Sequence, residues 1–198
     1  MKKAWLIIIP ILAILYFASI SGSSSDNYPE EIAKFWNDRH DFFLTSSVSP
    51  FIQKNATYHP VQLFEVDKSY RVKATLNRFT KRETITLKNS DGTATTYLKY
   101  ANASFKLSNK NHSLLILKTV GFGNQYFLAF GDETSGGATY GGGRYLDVSI
   151  GKSNELILDF NKAYNPYCAY FDDFTCPLPP LENLLEVSIM AGEKNYTY

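Results

Sequence analysis

A mainly β fold is what the sequence predicts: a single antiparallel sandwich or partly closed barrel with one N-terminal amphipathic helix, preceded by a membrane anchor or signal segment. Three observations carry that expectation. About nine short apolar runs, several of them alternating with period two, follow Val61 without helical patterns between them. One stretch of three-and-four periodicity stands ahead of them, from Pro29 to Phe43. The opening residues are apolar almost throughout.

The chain begins MKKAWLIIIPILAILYFASISGSSSD, with Lys2 and Lys3, an uncharged run from Ala4 to Ile20, and a serine-rich stretch. Those seventeen residues would rise about 25 Å as a helix, just short of a hydrocarbon core about 30 Å thick. Residues 1–21 therefore read as a signal-anchor or signal peptide, residues 22–28 as a polar linker, and residues 29–198 as a single β-rich domain. The two lysines would stay on the cytoplasmic side. The expected location is the cell membrane, single-pass through residues 4–20 with the domain outside the cytoplasm, or a secreted or periplasmic form after cleavage. A lipid anchor is excluded, since the only cysteines are Cys168 and Cys176.

Twenty basic and nineteen acidic residues leave a net charge of +1, so there is no global field to attract nucleic acid. The distribution is uneven. Residues 130–198 carry ten carboxylates against four cationic side chains. A solvated acidic surface accounts for this, and so does an acidic pocket or cation site.

Pro29, Glu30 and Glu31 suit the first turn of a helix, because proline lacks only an N–H that has no partner there and carboxylates complement the helix dipole. Ile32, Phe35, Trp36, Arg39 and Phe43 then fall on one face that would pack on the domain. Ser49-Pro50 and His59-Pro60 punctuate an irregular stretch. Val72, Ala74 and Leu76 alternate with Arg71, Lys73, Thr75 and Asn77, as in a half-buried strand. Ile85 and Leu87 lead to the turn signal Asn89-Ser90-Asp91-Gly92, and Ala101, Ala103, Phe105 and Leu107 alternate again. Leu114 to Leu117, Phe127 to Phe130 and Leu156 to Phe160 are more continuously apolar, and Leu184 to Met190 reads as a last strand.

Chemistry-bearing residues concentrate after Phe130. Gly131-Asp132-Glu133-Thr134-Ser135-Gly136-Gly137 leads through Thr139-Tyr140 and three glycines to Arg144, the only arginine after Arg82. Bare backbone amides beside a guanidinium fork suit an anionic group. A loop whose arginine simply ties down Asp132 or Asp159 explains the residues equally. The spacing matches no phosphate-loop or dinucleotide fingerprint, so no cofactor is implied. Asp159 and Asn161 would share one side of their strand and could hold an arginine or a metal. Cys168 and Cys176 would pair in an oxidising compartment, a disulfide that chain entropy makes stabilising by about 2.5 kcal/mol. A zinc pair or a cysteine nucleophile stays open, although His40, His59 and His112 all lie upstream and have no ligand spacing. Cys176-Pro177-Leu178-Pro179-Pro180 should run extended as a rigid wall, with Glu182, Asn183, Glu186 and Glu193 beyond it.

At GDETSGGATYGGGRYLDV, DFNKAYNPYCAY and CPLPPLENLLEVSIMAGEK the chain resembles the bacterial and archaeal family known as domain of unknown function 1684. The resemblance brings no activity with it. It implies a common site at Asp132, Thr139, Tyr140, Arg144, Asp159, Asn161, Asn165, Cys168, Tyr170, Cys176 and Asn183.

Three functions compete. The first is a binding module holding a small anionic or sugar-like ligand around Arg144, with Asp132, Thr139, Tyr140, Asp159, Asn161, Asn165, Tyr170, Asn183 and Glu193 lining the site. The second is a hydrolase using Asp132, Asp159 and Glu193, with Arg144 or a divalent metal stabilising charge. It lacks a nucleophile elbow, a zinc-protease motif and any histidine after His112. The third is a purely structural polar network.

Overall fold

The computed structural model describes residues 27–121 and 125–197. Helix α1 spans Tyr28–Thr45, with Pro29 and the two glutamates in its first turn. It buries Tyr28, Ile32, Trp36 and Phe43 on one face and presents charged residues such as Lys34 and Asp38 on the other. A one-turn helix, α2 (Pro50–Gln53), follows where an irregular segment was expected. Its start is set by Pro50 after the extended Ser49.

Among the described residues, no helix is long and apolar enough to cross a membrane. The single-pass placement is corrected accordingly. The one long helix, α1, is amphipathic and docks on the domain. The expected span at residues 4–20 lies outside the described residues.

The strands are β1 (Arg71–Arg78), β2 (Thr84–Lys88), β3 (Ala94–Leu107), β4 (Lys110–Thr119), β5 (Tyr126–Phe127), β6 (Ala129–Phe130), β7 (Arg144–Tyr145) and β8 (Glu155–Asp159). Six form an antiparallel sheet in the order β5-β4-β3-β1-β8, with β2 added to β3, and β6 pairs β7 separately. The long β3 serves two partners on one edge. Ala101 to Phe105 pair with β1, and Ala94 to Leu98 pair with β2. Register slips between Lys99 and Ala101, where the two arms part. The sheet therefore stays open, and the expected partly closed barrel does not form among the described residues.

Alternation along β4 divides two cores. Leu114 and Ile116 enter the main core with Val72, Ala74, Phe105, Leu158 and Phe160. Leu115 and Leu117 point the other way, into a smaller core with Leu87 and Tyr97. That two-sided burial is why Leu114 to Leu117 reads as an unbroken apolar run. The β3–β4 hairpin turns on Ser108 and Asn109, both at positive φ, and the β2–β3 turn uses Gly92 at φ 83.

The expected last strand at Leu184 to Met190 is not one. This segment makes a single parallel bridge, Gly131 to Leu184, and then runs irregularly. The Val187 carbonyl accepts from the Glu133 amide, while the Ile189 carbonyl, with those of Ala191 and Glu193 just beyond, finds a side-chain partner instead of a neighbouring strand.

Candidate functional site

That partner is Arg144. Its strand β7 follows Gly143, whose φ of 81 and lack of a side chain turn the chain inward; an added Cβ would lie 2.6 Å from the Phe130 carbonyl oxygen. The guanidinium is 1 % exposed and fully directed into the protein. Nη2 donates to Asp132 Oδ2 at 2.8 Å and to the Ile189 carbonyl at 2.9 Å. Nη1 donates to the carbonyls of Ala191 and Glu193. The Phe130 ring lies 5.3 Å from its central carbon. Burial pulls the guanidinium below its ordinary pKa, and the Asp132 charge opposes that.

Asp132 is prepared for this role by its own loop. Its Oδ1 accepts from the Thr134 amide at 2.8 Å and from the Thr134 hydroxyl at 2.5 Å, and Thr134 meets the buried Thr139 hydroxyl at 2.9 Å. The glycine-rich loop is thus tightly folded, with its turns closed by Ser135 N–H to Asp132 O and Thr139 N–H to Thr134 O.

Beside this cluster lies a second. Glu193 is completely buried. Its Oε1 accepts from Tyr170 Oη at 2.7 Å and Asn165 Nδ2 at 3.0 Å, and its Oε2 accepts from the Asn165 amide at 2.9 Å. Desolvation raises its carboxyl pKa, while Arg39 and these donors work against the rise. Arg39, from α1, stacks on Tyr164 at 4.0 Å and Phe43 at 4.9 Å. The sequence placed Arg39 only on an aromatic helix face. The signal for more was there: a cation inside an otherwise apolar stripe needs a buried counter-charge.

Asp159 and Asn161 form a third cluster, apart from Arg144. Asp159 Oδ1 accepts from Tyr28 Oη at 2.7 Å, and its Oδ2 lies 3.7 Å from Arg71 Nε. Asn161 accepts from the Asp67 amide and donates to the Asp67 carbonyl, and its own carbonyl accepts from Trp36 Nε1. Asn183 plays the same part elsewhere. Its amide accepts from the Leu115 N–H at 2.6 Å and donates to the carbonyls of Leu115 and Ala129, bridging β4 to β6 as a strand residue would. Tyr140 reaches Cys168, with its hydroxyl 3.7 Å from the sulfur.

The expected disulfide is not present: Cys168 and Cys176 are both buried free thiols. Each sulfur is held by hydrogen bonds, Cys176 Sγ accepting from the Cys168 amide at 3.1 Å. No group of three or more His, Cys, Asp or Glu residues able to hold a metal occurs among the described residues. The carboxylates are engaged by different partners, Asp132 by Arg144 and Thr134, Asp159 by Tyr28, and Glu193 by Tyr170 and Asn165.

What remains open to solvent is a groove of about 610 Å³ above the Asp132–Arg144 pair. One side is the glycine loop, with Gly131, Glu133, Ser135 and Gly141 to Gly143; the other is Leu178, Pro179, Leu181, Leu184 and Glu186. Leu181 is 83 % exposed on its rim. The sequence located both walls but assigned the site to the polar residues beneath them. It missed Ser135, Glu133, Leu181 and Leu184, which carry no distinctive spacing.

A solution NMR structure of an uncharacterised protein from Haloarcula marismortui is similar, with 31% sequence identity and a TM-score of 0.64, over 86% of this chain and 95% of that one. Curated proteins give no match. The family model described as protein of unknown function (DUF1684) matches residues 56–194. Most of the β domain falls within that match, including Arg144 with Asp132 and the acids and amides of the other two clusters but not their helix partners Tyr28, Trp36 and Arg39, and the chain belongs to the DUF1684 family.

Proposed function

We propose that the chain is a binding module whose ligand site is the groove between the glycine loop and residues 178–186, with the buried polar clusters as its frame. The supporting observation is the division of labour around Asp132. Its carboxylate faces down to Arg144, with both side chains 1 % exposed, while the loop it organises forms the groove wall above.

The lining selects the ligand class. Glu133, Glu186 and Ser135 provide oxygen acceptors and a hydroxyl, five aliphatic residues provide apolar surface, and no cationic side chain lines the groove. A small anion would meet repulsion there, because the guanidinium expected to receive it is already committed to Asp132 and three carbonyls. A neutral, hydroxyl-rich, sugar-like ligand fits: its hydroxyls donate to the carboxylates and its C–H faces lie on the leucines. The hydrolase reading loses support, since each of its three carboxylates is buried and engaged by protein partners.

A panel of neutral mono- and disaccharides tests this, read by NMR chemical-shift mapping and by thermal shift. The expected result is saturable perturbation at Ser135, Gly142 and Leu184, with a ligand-dependent rise in Tm. Glu186→Gln, at the exposed groove surface, should abolish the response without changing the unliganded Tm, and Ser135→Ala should abolish it with a small loss of Tm, because the Ser135 hydroxyl also accepts from the Asp132 amide. Perturbations mapping outside the groove, or none at saturating sugar, would overturn the reading.

A further inference from the structure

The two thiols sit in a place that neither the polar frame nor the groove requires. Cys168 lies in the short 3-10 turn Tyr167–Ala169, and Cys176 opens the proline-rich segment eight residues later. Both are 6 % exposed. The segment from Cys176 is pinned to the β2–β3 turn: the Cys176 amide donates to Ser90 Oγ, the Ser90 amide to the Cys176 carbonyl, and the Leu178 amide to the Lys88 carbonyl. Cys176 Sγ in turn accepts from the Cys168 amide at 3.1 Å, so the two sulfurs share one site.

We infer that Cys168 and Cys176 form a reversible dithiol–disulfide couple, in which Cys168 attacks a small disulfide and Cys176 resolves the mixed disulfide. The geometry separates the roles. Cys168 Sγ is the acceptor of two hydroxyl-type or thiol donors, Tyr140 Oη at 3.7 Å and the Cys176 thiol. Cys176 Sγ accepts from the Cys168 amide, and the Cys168 contact pushes its pKa up, so it stays protonated until the first exchange has occurred. In support, the Cys176 thiol holds the Cys168 thiol down at about 6, against the opposing effect of burial. The loop between them carries the exposed Asp172 and Asp173, so its opening is what would admit an oxidant to the two buried thiols.

The step balances. The Cys168 thiolate bonds to one sulfur of the small disulfide and expels its first thiolate. Cys176 loses its proton and attacks Cys168 Sγ, expelling the second thiolate. The protein gives up two electrons and two protons and becomes a disulfide, while the oxidant becomes two thiols. Closure ties the Tyr167–Ala169 turn to the segment that carries Leu178 and Pro179. The couple stands whether or not the groove above binds a sugar.

Cystamine, a small cationic disulfide, is the probe, used on the folded full chain with intact-mass and peptide-map readouts. The expected result is loss of both thiols, a mass lower by two hydrogens, a Cys168–Cys176 crosslink, and recovery with dithiothreitol. Cys176→Ser should accumulate a cysteamine adduct on Cys168, and Cys168→Ser should accumulate none on that time scale. Thiols that react only in denaturant, a wild-type adduct that never closes, or crosslinks between chains would overturn the proposal. If either variant fails to fold, the wild-type mass and peptide map decide by themselves.

Discussion

Arg144 Nη2 and Asp132 Oδ2 meet at 2.8 Å, with both side chains almost completely removed from water. The pair joins the glycine loop to β7, and Nη1 and Nη2 also hold the carbonyls of Ile189, Ala191 and Glu193. The arginine therefore does for the C-terminal segment what a neighbouring strand would do.

Removing one partner leaves an uncompensated buried charge, which costs about 3–5 kcal/mol. Asp132→Asn is expected to lose that much in denaturant unfolding. Arg144→Lys keeps the charge but cannot supply the planar fork to one carboxylate and three carbonyls. It should fall in the same range. An unchanged unfolding midpoint in Arg144→Lys would show that the fork is dispensable.

Asn183→Ala removes three hydrogen bonds to the backbone of Leu115 and Ala129. An unsatisfied buried group costs about 1–3 kcal/mol. Because these bonds bridge β4 to β6, amide hydrogen exchange at Leu115 should accelerate with the loss of stability. Exchange at β8, which pairs only with β1 in the sheet, should follow global unfolding alone.

Two glycines at similar φ separate steric from conformational demand. Gly92 has φ 83 and open space around it; Gly192 has φ 76, and an added Cβ would lie 2.7 Å from the Phe160 carbonyl oxygen. Gly92→Ala meets only the left-handed conformation and should cost about 1 kcal/mol. Gly192→Ala must also displace backbone and should cost several-fold more in chemical denaturation. Equal losses would remove close approach as the reason for Gly192.

The helix, the first strands and the Asn89–Gly92 turn were legible because each follows a local rule of periodicity or turn chemistry. So was the pairing of Arg144 with an acid, and the rigid Cys176–Pro180 wall. What was not legible depends on distant segments meeting. Nothing local says that Arg144 chooses Asp132 and leaves Asp159 to Tyr28 and Arg71, or that Glu193 answers Arg39. The strand expected at Leu184 to Met190 failed for the same reason. Its apolar pattern was strand-like, but the Ile189 carbonyl and those of Ala191 and Glu193 beyond it were claimed by a side chain from β7. The density of polar residues pointed to a site, and what that density builds is three buried, hydrogen-bonded clusters, one of them beneath a groove.

The thiols give the pH prediction. Cys168 is held at about 6 in the folded protein, first by the Cys176 thiol and then by Tyr140 and Ser90, against an ordinary value of 9.0. Cys176 is pushed up by the same contact. For a group with a lowered folded pKa, stability is present above the unfolded value and lost as pH falls through the folded one. The pair should therefore add stability as pH rises from about 6 toward 9, and Cys176 should reverse the trend above that. Iodoacetamide labelling of folded protein should show one thiolate per chain with a midpoint near 6, assigned to Cys168 by peptide mapping. Cys176→Ala removes the donor, so the midpoint should climb toward 9.0, and Tyr140→Phe should move it part of the way. A wild-type midpoint that already lies near the ordinary thiol value would mean that the Cys176 thiol does not stabilise a Cys168 thiolate.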